Sequence, residues 1–307
     1  MSILVATDFS DNARAALRTA ARLAHAHDEE LVVLHCQETA VDETPWRHAL
    51  SSPGEIRGQL WKAAQQRLEE TYESVVPPEE RPTDVDLRVD LQYAAEGVLG
   101  VLGEKPFSLA VLGATGLSRL VNLFLGSTTE EVVRRSDVPV LVVPDDAPPK
   151  PYRRIVAPVD FTDCSRKSLQ QAADLAREDG AELLIIHSYE LPVSETTFLP
   201  TQLPPETIEA YQNQQQDRLE EFVESVDLSG IESTARLEVG APHHAIVEAV
   251  EEAEADLVVM GTHGRRGFDR LFLGSTATRI LRRMPTSVMT VRSSESESSE
   301  SASDESS

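Results

Sequence analysis

The chain has 307 residues, a length that suits two domains of ordinary size better than one core. Its 52 acidic and 28 basic side chains give a formal net charge of −24 at pH 7. Such a charge repels nucleic-acid backbones and argues against a DNA- or RNA-binding role. Since the sequence offers neither a basic leader nor an apolar run of about 20 residues, we expect a cytoplasmic protein without a signal peptide or membrane-spanning helix.

The composition of the charged residues points to a salt-rich environment. Only four of the basic residues are lysines, namely Lys62, Lys105, Lys150 and Lys167. An acidic, lysine-poor surface suggests a halophilic protein, because concentrated salt screens the repulsion between carboxylates. An ordinary acidic surface that aids solubility is the alternative. Cys36 and Cys164 lie at non-matching positions of the chain and are expected to be reduced thiols.

In chain order, short apolar runs rich in β-branched residues alternate with longer amphipathic segments. Ile3–Thr7 is the first predicted strand, and Ser10 is placed to cap a helix whose apolar residues recur every three or four positions. The other elements predicted in the first half are strands at 31–35, 85–89, 109–112 and 138–143 and helices at 59–73, 97–102 and 129–135. Buried strands that alternate with helices indicate an α/β fold, an open parallel sheet with helices on both faces.

The second half repeats this order after a proline-rich linker. ILVATDFS at the start of the chain matches IVAPVDFT at 155–162, and LVVLH at 31–35 matches LLIIH at 183–187. An internal duplication of this kind predicts two domains with one fold. We assign residues 1–146 and 153–292 to the domains, 147–152 to the linker and 293–307 to a disordered acidic tail. The serines of the tail suggest either regulatory phosphorylation or a simple solubilising role.

Each half contains one glycine motif at the end of its fourth predicted strand. Residues 113–128 read GATGLSRLVNLFLGST and residues 261–276 read GTHGRRGFDRLFLGST, so Gly-x-x-Gly, nine residues and Gly-Ser-Thr occur twice. In an open α/β sheet, ligands bind beyond the carboxyl ends of the strands, where the winding direction reverses. If strands one and four are neighbours there, Asp8 and Gly113 face one crevice, and Asp160 and Gly261 face a second.

The residues of the motif suit the binding of phosphate. Gly113 and Gly116 are expected to let the backbone turn sharply, with no Cβ between its amides and a ligand. Ser127 is predicted to be the N-cap of the next helix, with Glu130 completing a capping box. The helix start would then offer a phosphate its amides and the positive end of its dipole. The alternative explanation is that the glycines serve only turns and packing.

Together, these residues resemble the universal stress protein family. The resemblance rests on VATDFS and VAPVDFT, on LVVLH and LLIIH, and on the two glycine motifs. It covers about residues 1–144 and 152–292, so the chain looks like a tandem two-domain member of the ATP-binding branch. The resemblance implies two tandem open five-stranded parallel sheets of the Rossmann-like kind, similar to the adenine nucleotide alpha-hydrolases. It also implies ATP as the ligand, with or without Mg²⁺.

The resemblance further implies roles for individual residues. Asp8 and Asp160 would meet the ribose or the phosphate–metal region, where they would hold Mg²⁺ through the phosphates, and the backbone at Cys36 and Ser188 would pair with the adenine edge. The residues implied to hold the phosphates are Gly113, Gly116, Gly126, Ser127 and Thr128 in the first half and Gly261, Gly264, Gly274, Ser275 and Thr276 in the second.

The two motifs differ in charge. Arg265 and Arg266 occur in the second motif, where the first has uncharged residues, and Thr278 replaces Glu130. Added cations and a missing acid both favour anion binding, so we expect the second site to bind ATP at least as tightly as the first.

The histidines are expected to have ordinary roles. His35 and His187 follow buried strands, which favours packing or hydrogen bonding over catalysis. His243 and His244 are adjacent, so they point to different faces of a helix and are not expected to chelate a metal.

The last strand of each half is strongly apolar, and the family commonly pairs through this edge. Segments 139–144 and 286–292 would pair within one chain to form an intramolecular pseudo-dimer, while a homodimer of such chains stays open. We predict an ATP-binding regulator of the stress response that is not an enzyme beyond weak ATP hydrolysis, since the sequence offers no evident base or nucleophile. The alternatives are an interaction module with vacant sites and a slow ATP hydrolase or adenylyl-transfer enzyme.

Overall fold

The computed structural model describes residues 1–37, 53–115, 125–145, 147, 151–191, 204–262, 273–283 and 286–292. The elements of the first half are β1 (Ser2–Ala6), α1 (Asp11–His27), β2 (Glu30–Cys36), α2 (Pro53–Val75), a 3-10 turn (Pro78–Glu80), β3 (Val85–Asp90), α3 (Ala94–Leu102), β4 (Phe107–Gly113), α4 (Ser127–Arg135) and β5 (Val140–Val143). Every strand and helix predicted for this half is therefore present, although several begin earlier or later than the sequence suggested.

The second half repeats the series. Its elements are β6 (Arg154–Pro158), α5 (Asp163–Asp179), β7 (Glu182–Tyr189), α6 (Pro205–Glu224), β8 (Ser233–Val239), α7 (Pro242–Ala253), β9 (Leu257–Gly261), α8 (Ser275–Arg283) and β10 (Ser287–Val291). Most of the predicted linker and the whole predicted tail lie outside the described residues. So do five residues of the two glycine motifs, namely Gly116, His263, Gly264, Arg265 and Arg266.

All ten strands form one sheet in the order β3-β2-β1-β4-β5-β10-β9-β6-β7-β8. Within each half the neighbouring strands are parallel. The halves join through β5 and β10, which pair antiparallel with Leu141 opposite Met289, and the Thr290 hydroxyl donates to the Val140 carbonyl at 3.2 Å. The α/β fold is thus confirmed, and the two five-stranded sheets meet edge to edge as the pseudo-dimer prediction required.

Helices cover both faces of the sheet because successive strand residues point to opposite sides. Ile3 and Val5 pack on one side, and Leu4 and Val32 on the other. Helix residues on the first side include Leu17, Leu68, Leu169 and Leu219, and those on the second include Val98, Val132, Ile246 and Ile280. Each fully buried Leu or Ile contributes roughly 1.5–3 kcal/mol of burial free energy, so both helical layers stabilise the sheet.

Local sequence explains where several elements begin. Ser10 caps α1 as predicted, since its hydroxyl accepts from the Ala13 amide at 3.3 Å. The fifth strand begins at Val140 and not at Val138, because the Ser136 hydroxyl forms hydrogen bonds with both the N–H and the C=O of Val138. Among the described residues, no helix has both the length and the apolar character that crossing a membrane requires.

Side chains of α1 and α5 reinforce the junction between the halves. Arg22 pairs with Asp179 at 3.3 Å, and both side chains are 12% exposed. The other carboxylate oxygen of Asp179 accepts from the Tyr152 amide at 2.7 Å, and the Arg22 guanidinium lies 5.4 Å from the centre of the Tyr152 ring. The start of the second half is therefore held against the first helix by a half-buried ionic contact.

Candidate functional site

Each half has one point where its strand order reverses, between β1 and β4 in the first half and between β6 and β9 in the second. Val5 lies opposite Val111, so Asp8 and Gly113 leave neighbouring strands at the same edge. Val156 lies opposite Val258, which places Asp160 and Gly261 at the corresponding edge of the second half. We call these regions site 1 and site 2, and ligands of open α/β sheets bind at such points.

The turn after the first strand of each half is strained in the same way. Phe9 and Phe161 both have a φ of 66°, a left-handed conformation that costs a non-glycine residue about 1–2 kcal/mol. Asp8 stabilises its turn by accepting from the Ser10 amide at 3.0 Å. Asp160 accepts from the Thr162 amide at 3.2 Å and from its hydroxyl at 2.6 Å. Both aspartates are half-buried, and hydrogen bonds fix their carboxylates at the edge of the site.

A buried histidine ends the pairing of the first two strands in each half. The Nδ1 atom of His35 lies 2.8 Å from the Thr7 carbonyl, and that of His187 lies 2.7 Å from the Val159 carbonyl. Because a carbonyl only accepts, Nδ1 carries the proton in both rings. Burial lowers the pKa of His35, which favours its neutral form. The prediction that these histidines pack and hydrogen-bond is confirmed.

At these histidines the second strand of each half extends past the end of the first strand. The last ladder bonds run from the Thr7 amide to the Leu34 carbonyl at 2.9 Å and from the Val159 amide to the Ile186 carbonyl at 2.8 Å. Alternate residues of a strand direct their N–H and C=O groups to the same side. The backbone groups of Cys36 and Ser188 therefore point past the end of the first strand, into sites 1 and 2. An adjacent donor and acceptor of this kind match the edge of an adenine ring.

The Cys36 thiol has a packing role. A Cβ built on Gly97 would lie 2.4 Å from Cys36 Sγ, so the sulfur occupies the space that a side chain at position 97 would fill. Burial raises the pKa of the thiol to about 12. The thiol therefore packs against Gly97, while the backbone of Cys36 is the part that points into site 1.

Gly113 and Gly261 allow close packing and lack the positive φ of a glycine turn, whereas Gly116, the other glycine predicted to turn, lies outside the described residues. A Cβ on Gly113 would lie 2.9 Å from the backbone carbon of Asn12, and one on Gly261 would lie 2.8 Å from Cys164 Sγ. Glycines with positive φ in the described part of the chain are Gly180, Gly230 and Gly240, none of which belongs to the motif. The strand ends can thus approach α1 and α5 more closely than any other residue would permit.

The prediction that Ser127 caps α4 is wrong. The N-cap is Gly126, no side chain caps the helix, and Ser127 is the first helical residue. The Gly126 amide donates to the Ala114 carbonyl at 2.8 Å, which closes the loop of the motif and fixes Gly126 at the helix start. Glu130 pairs instead with Arg282 of the second half, at 3.1 Å to each carboxylate oxygen.

The first turn of each following helix is the phosphate-binding candidate. Ser127 and Ser275 are exposed, and Thr128 and Thr276 are half-buried. The Gly274 amide donates to the Thr262 carbonyl at 2.9 Å, so the second loop closes in the same way as the first. Because no side chain caps α4, its first amides point outward, where they and the positive end of the dipole attract anions.

Two further residues of site 1 escaped the sequence analysis. The Asn12 amide group donates to the Thr115 hydroxyl at 2.7 Å, and the Thr129 hydroxyl donates to the Gly113 carbonyl at 2.8 Å. They fasten α1 and α4 to the motif loop. A long-range pair of this kind leaves no signal in sequence spacing, since Asn12 and Thr115 meet only in the folded chain.

The described residues contain no group of three or more histidines, cysteines or carboxylates that could hold a metal ion. Asp8 and Asp160 each contribute one carboxylate to their site, which fits the way Mg²⁺ is bound by one or two carboxylates and substrate phosphates. The rings of His243 and His244 are in contact, with centres 4.1 Å apart and planes tilted by 53°, so the prediction that they point to different faces of the helix is wrong.

Known proteins share this architecture. The sequence model of the universal stress protein family matches residues 1–144 and 151–292, one match for each half. The chain belongs to the universal stress protein family. A relative that is a universal stress protein of Mycolicibacterium smegmatis is 25% identical over 303 residues, covering 94% of this chain and 96% of the relative.

Other members of the family match one or both halves. A universal stress protein of Methanocaldococcus jannaschii is 33% identical over 142 residues, which is 46% of this chain and 82% of that protein. The crystal structure of a universal stress protein from Archaeoglobus fulgidus covers 95% of this chain and 98% of its own, with a TM-score of 0.61 and 22% identity. The family and the tandem organisation are thus confirmed, whereas the ATP-binding branch and the halophilic origin remain predictions.

Proposed function

We propose that sites 1 and 2 each bind one ATP molecule and that the protein is a nucleotide-dependent regulator of the stress response. The observation that carries the proposal is the start of α4, which no side chain caps and which lies where the strand order reverses. The phosphates would bind the first-turn amides and the hydroxyls of Ser127 and Thr128 in site 1, and those of Ser275 and Thr276 in site 2.

The other end of each site suits the adenine base. The backbone groups of Cys36 and Ser188 point into the sites, because the neighbouring strands have turned away at the strained phenylalanines. Asp8 and Asp160 lie between the two ends, where a ribose or a phosphate-bound Mg²⁺ would be. The same three features occur in both halves, which supports one ligand class for both sites.

We further propose that the protein is not a fast ATP hydrolase. Among the described residues, His35 and His187 at the edges of the sites are buried, and their Nδ1 atoms donate to carbonyls. The carboxylates of Asp8 and Asp160 are held in turns by hydrogen bonds. Groups fixed in this way position a ligand, and they are poorly placed to activate an attacking water.

The proposal is tested by adding a charge where the phosphates would lie. Thr128→Asp and Thr276→Asp place an acid in the first helical turn, which favours the helix dipole but repels phosphate. We expect each variant to stay folded and to lose ATP binding at its own site by at least about tenfold in Kd, measured by calorimetry. Thr128→Asn and Thr276→Asn keep the size without the charge and should retain binding.

Mass spectrometry of small molecules released from freshly purified protein separates the alternatives. Adenine nucleotide supports the regulator, and ADP or AMP that accumulates with time supports a slow hydrolase. An absence of both released nucleotide and calorimetric ATP binding would exclude the proposal and leave an interaction module of the same fold.

A further inference from the structure

Four cationic or potentially cationic side chains gather between α7 and α8. These are His243, His244, Arg279 and Arg283, which we call the α7–α8 cluster. Arg279 donates to His243 Nδ1 at 3.2 Å, and the two histidine rings are in tilted contact with their centres 4.1 Å apart. His243 is half-buried, whereas the other three side chains are exposed. The cluster is therefore accessible to a solute.

The two arginines of the cluster, Arg279 and Arg283, form no ion pair within the described part of the chain. Arg282, the neighbour of Arg283, does form an ion pair there, with Glu130 of the first half. Partial desolvation, followed by the three neighbouring cations, lowers the pKa of His243, and Glu190 is the one carboxylate that acts in the opposite direction. On a chain with a net charge of −24, an uncompensated group of cations is unusual.

The first half provides an internal control for this observation. The corresponding helices are α3 and α4, and Arg135 occupies the place of Arg283. Arg135 donates to Glu96 at 2.7 Å and to Glu131 at 2.8 Å. The second half has His244 and Arg279 at the positions of these two glutamates. The same pair of helices therefore packs in the first half with its arginine neutralised by two glutamates. The second half has a histidine and an arginine in place of those glutamates.

We propose that the α7–α8 cluster is an anion-binding site for a phosphate group. Two guanidinium groups offer planar donor pairs, and the histidines add ring N–H donors, a combination that suits a compact dianion with several oxygens. Arg279 lies one helical turn after Ser275, about 6 Å along the axis, so the cluster is separate from the first turn of α8. The phosphate belongs either to a free small molecule or to the end of a nucleotide in site 2.

Histidine NMR of the full-length protein tests the proposal without any nucleotide. The Hε1 resonances of His243 and His244 are followed while inorganic phosphate or sulfate is added against KCl at matched ionic strength. We expect saturable shifts and a rise of about 0.5 to 1 in the pKa of His243, because a bound dianion stabilises the protonated ring. Resonances that respond to phosphate and sulfate no more than to chloride would overturn the proposal.

Sulfate also provides a pH test, because its charge is constant between pH 8 and 5.5. His243 gains a proton as the pH falls, and its charge adds to those of the Arg279 and Arg283 guanidinium groups, whereas the Glu190 carboxylate opposes them. We expect the sulfate affinity to rise by about fivefold over this range. An affinity that is independent of pH would show that the histidines take no part.

Exchanging residues between the halves supplies the matched variants. His244→Glu with Arg279→Glu rebuilds around Arg283 the network that surrounds Arg135, so the chain should fold and lose sulfate binding by at least about tenfold. Glu96→His with Glu131→Arg should create sulfate binding in the first half, and this variant keeps the test decisive if the other fails to fold. Unchanged sulfate binding in the first variant, or none gained in the second, would contradict the proposal.

ATP then distinguishes the two sources of the phosphate. If the cluster holds the end of a nucleotide in site 2, His244→Glu with Arg279→Glu weakens ATP binding in the Thr128→Asp background, where site 2 alone remains. If the cluster binds a free phosphate compound, the ATP affinity of that background stays the same while sulfate binding is lost. Both results support the anion site, which does not depend on nucleotide binding at sites 1 and 2.

Discussion

Site 1 and site 2 have the same main-chain framework but opposite local charge. Both have a phenylalanine at a φ of 66°, a histidine bonded to the preceding strand and a loop closed by a glycine amide. The helix of site 1 carries Glu130 in its first turn and Glu131 directly after it, whereas that of site 2 carries Thr278 and Arg279 at the corresponding positions. The duplication has therefore kept the geometry that a nucleotide would need and changed the electrostatic potential around it.

The largest expected difference between the halves concerns the motif glycines. Gly113→Ala pushes a Cβ against the backbone of Asn12, which cannot move aside, and should lower the free energy of unfolding by about 1–3 kcal/mol. Gly261→Ala clashes with the sulfur of Cys164 at 2.8 Å and meets the backbone of Cys164 at an ordinary 3.4 Å, so adding Cys164→Ala should bring stability to within about 0.5 kcal/mol of Cys164→Ala alone. Urea unfolding followed by circular dichroism measures both, and a Gly113→Ala chain with an unchanged midpoint would refute the packing role.

The second expected difference is in affinity. The Thr276→Asp chain retains site 1 and the Thr128→Asp chain retains site 2, so their Kd values for ATP compare the sites directly. We expect site 2 to bind about tenfold more tightly at low salt, because its motif adds Arg265 and Arg266 and its helix has Thr278 in place of Glu130. Molar KCl should bring the ratio close to one, since salt screens exposed charges. Tighter binding at site 1, or a salt-independent ratio, would contradict this account.

The smallest effect should come from the contact between the halves. Arg282→Gln removes the partner of Glu130, and because both side chains are more than a third exposed, stability should change by less than about 1 kcal/mol. The uncompensated carboxylate should weaken ATP binding at site 1 by about two- to threefold and leave site 2 unaltered. Adding Glu130→Gln should restore the affinity, as measured in the Thr276→Asp background. If the affinity is not restored, Arg282 does not influence ATP binding at site 1 by neutralising Glu130.

The sequence predicted the fold well because the duplication supplied every element twice. Buried runs such as LVVLH indicate strands in either half, and the pairing of β5 with β10 follows from two apolar edges in one chain. Boundaries were less accurate where side chains compete for backbone groups. The hydroxyl of Ser136 takes both backbone groups of Val138 and delays the fifth strand by two residues.

The candidate sites were predicted in position but only partly in mechanism. Asp8 and Gly113 do lie at one edge, yet the glycine permits close packing where the sequence suggested a sharp turn. Ser127 and Glu130 have the spacing of a capping box, but Glu130 lies within reach of Arg282, which is remote in sequence. Spacing rules describe contacts within one helix, and they cannot include a competing partner that the fold brings in from the other half.

The antiparallel junction of β5 and β10 determines the directions in which site 1 and site 2 face. Since the strands of each half are parallel among themselves, their carboxyl ends lie at opposite rims of the shared sheet. The two sites therefore open in opposite directions, and a macromolecule seated over one leaves the other uncovered. If both sites bind nucleotide as proposed, one chain would carry one bound nucleotide at each rim of the shared sheet.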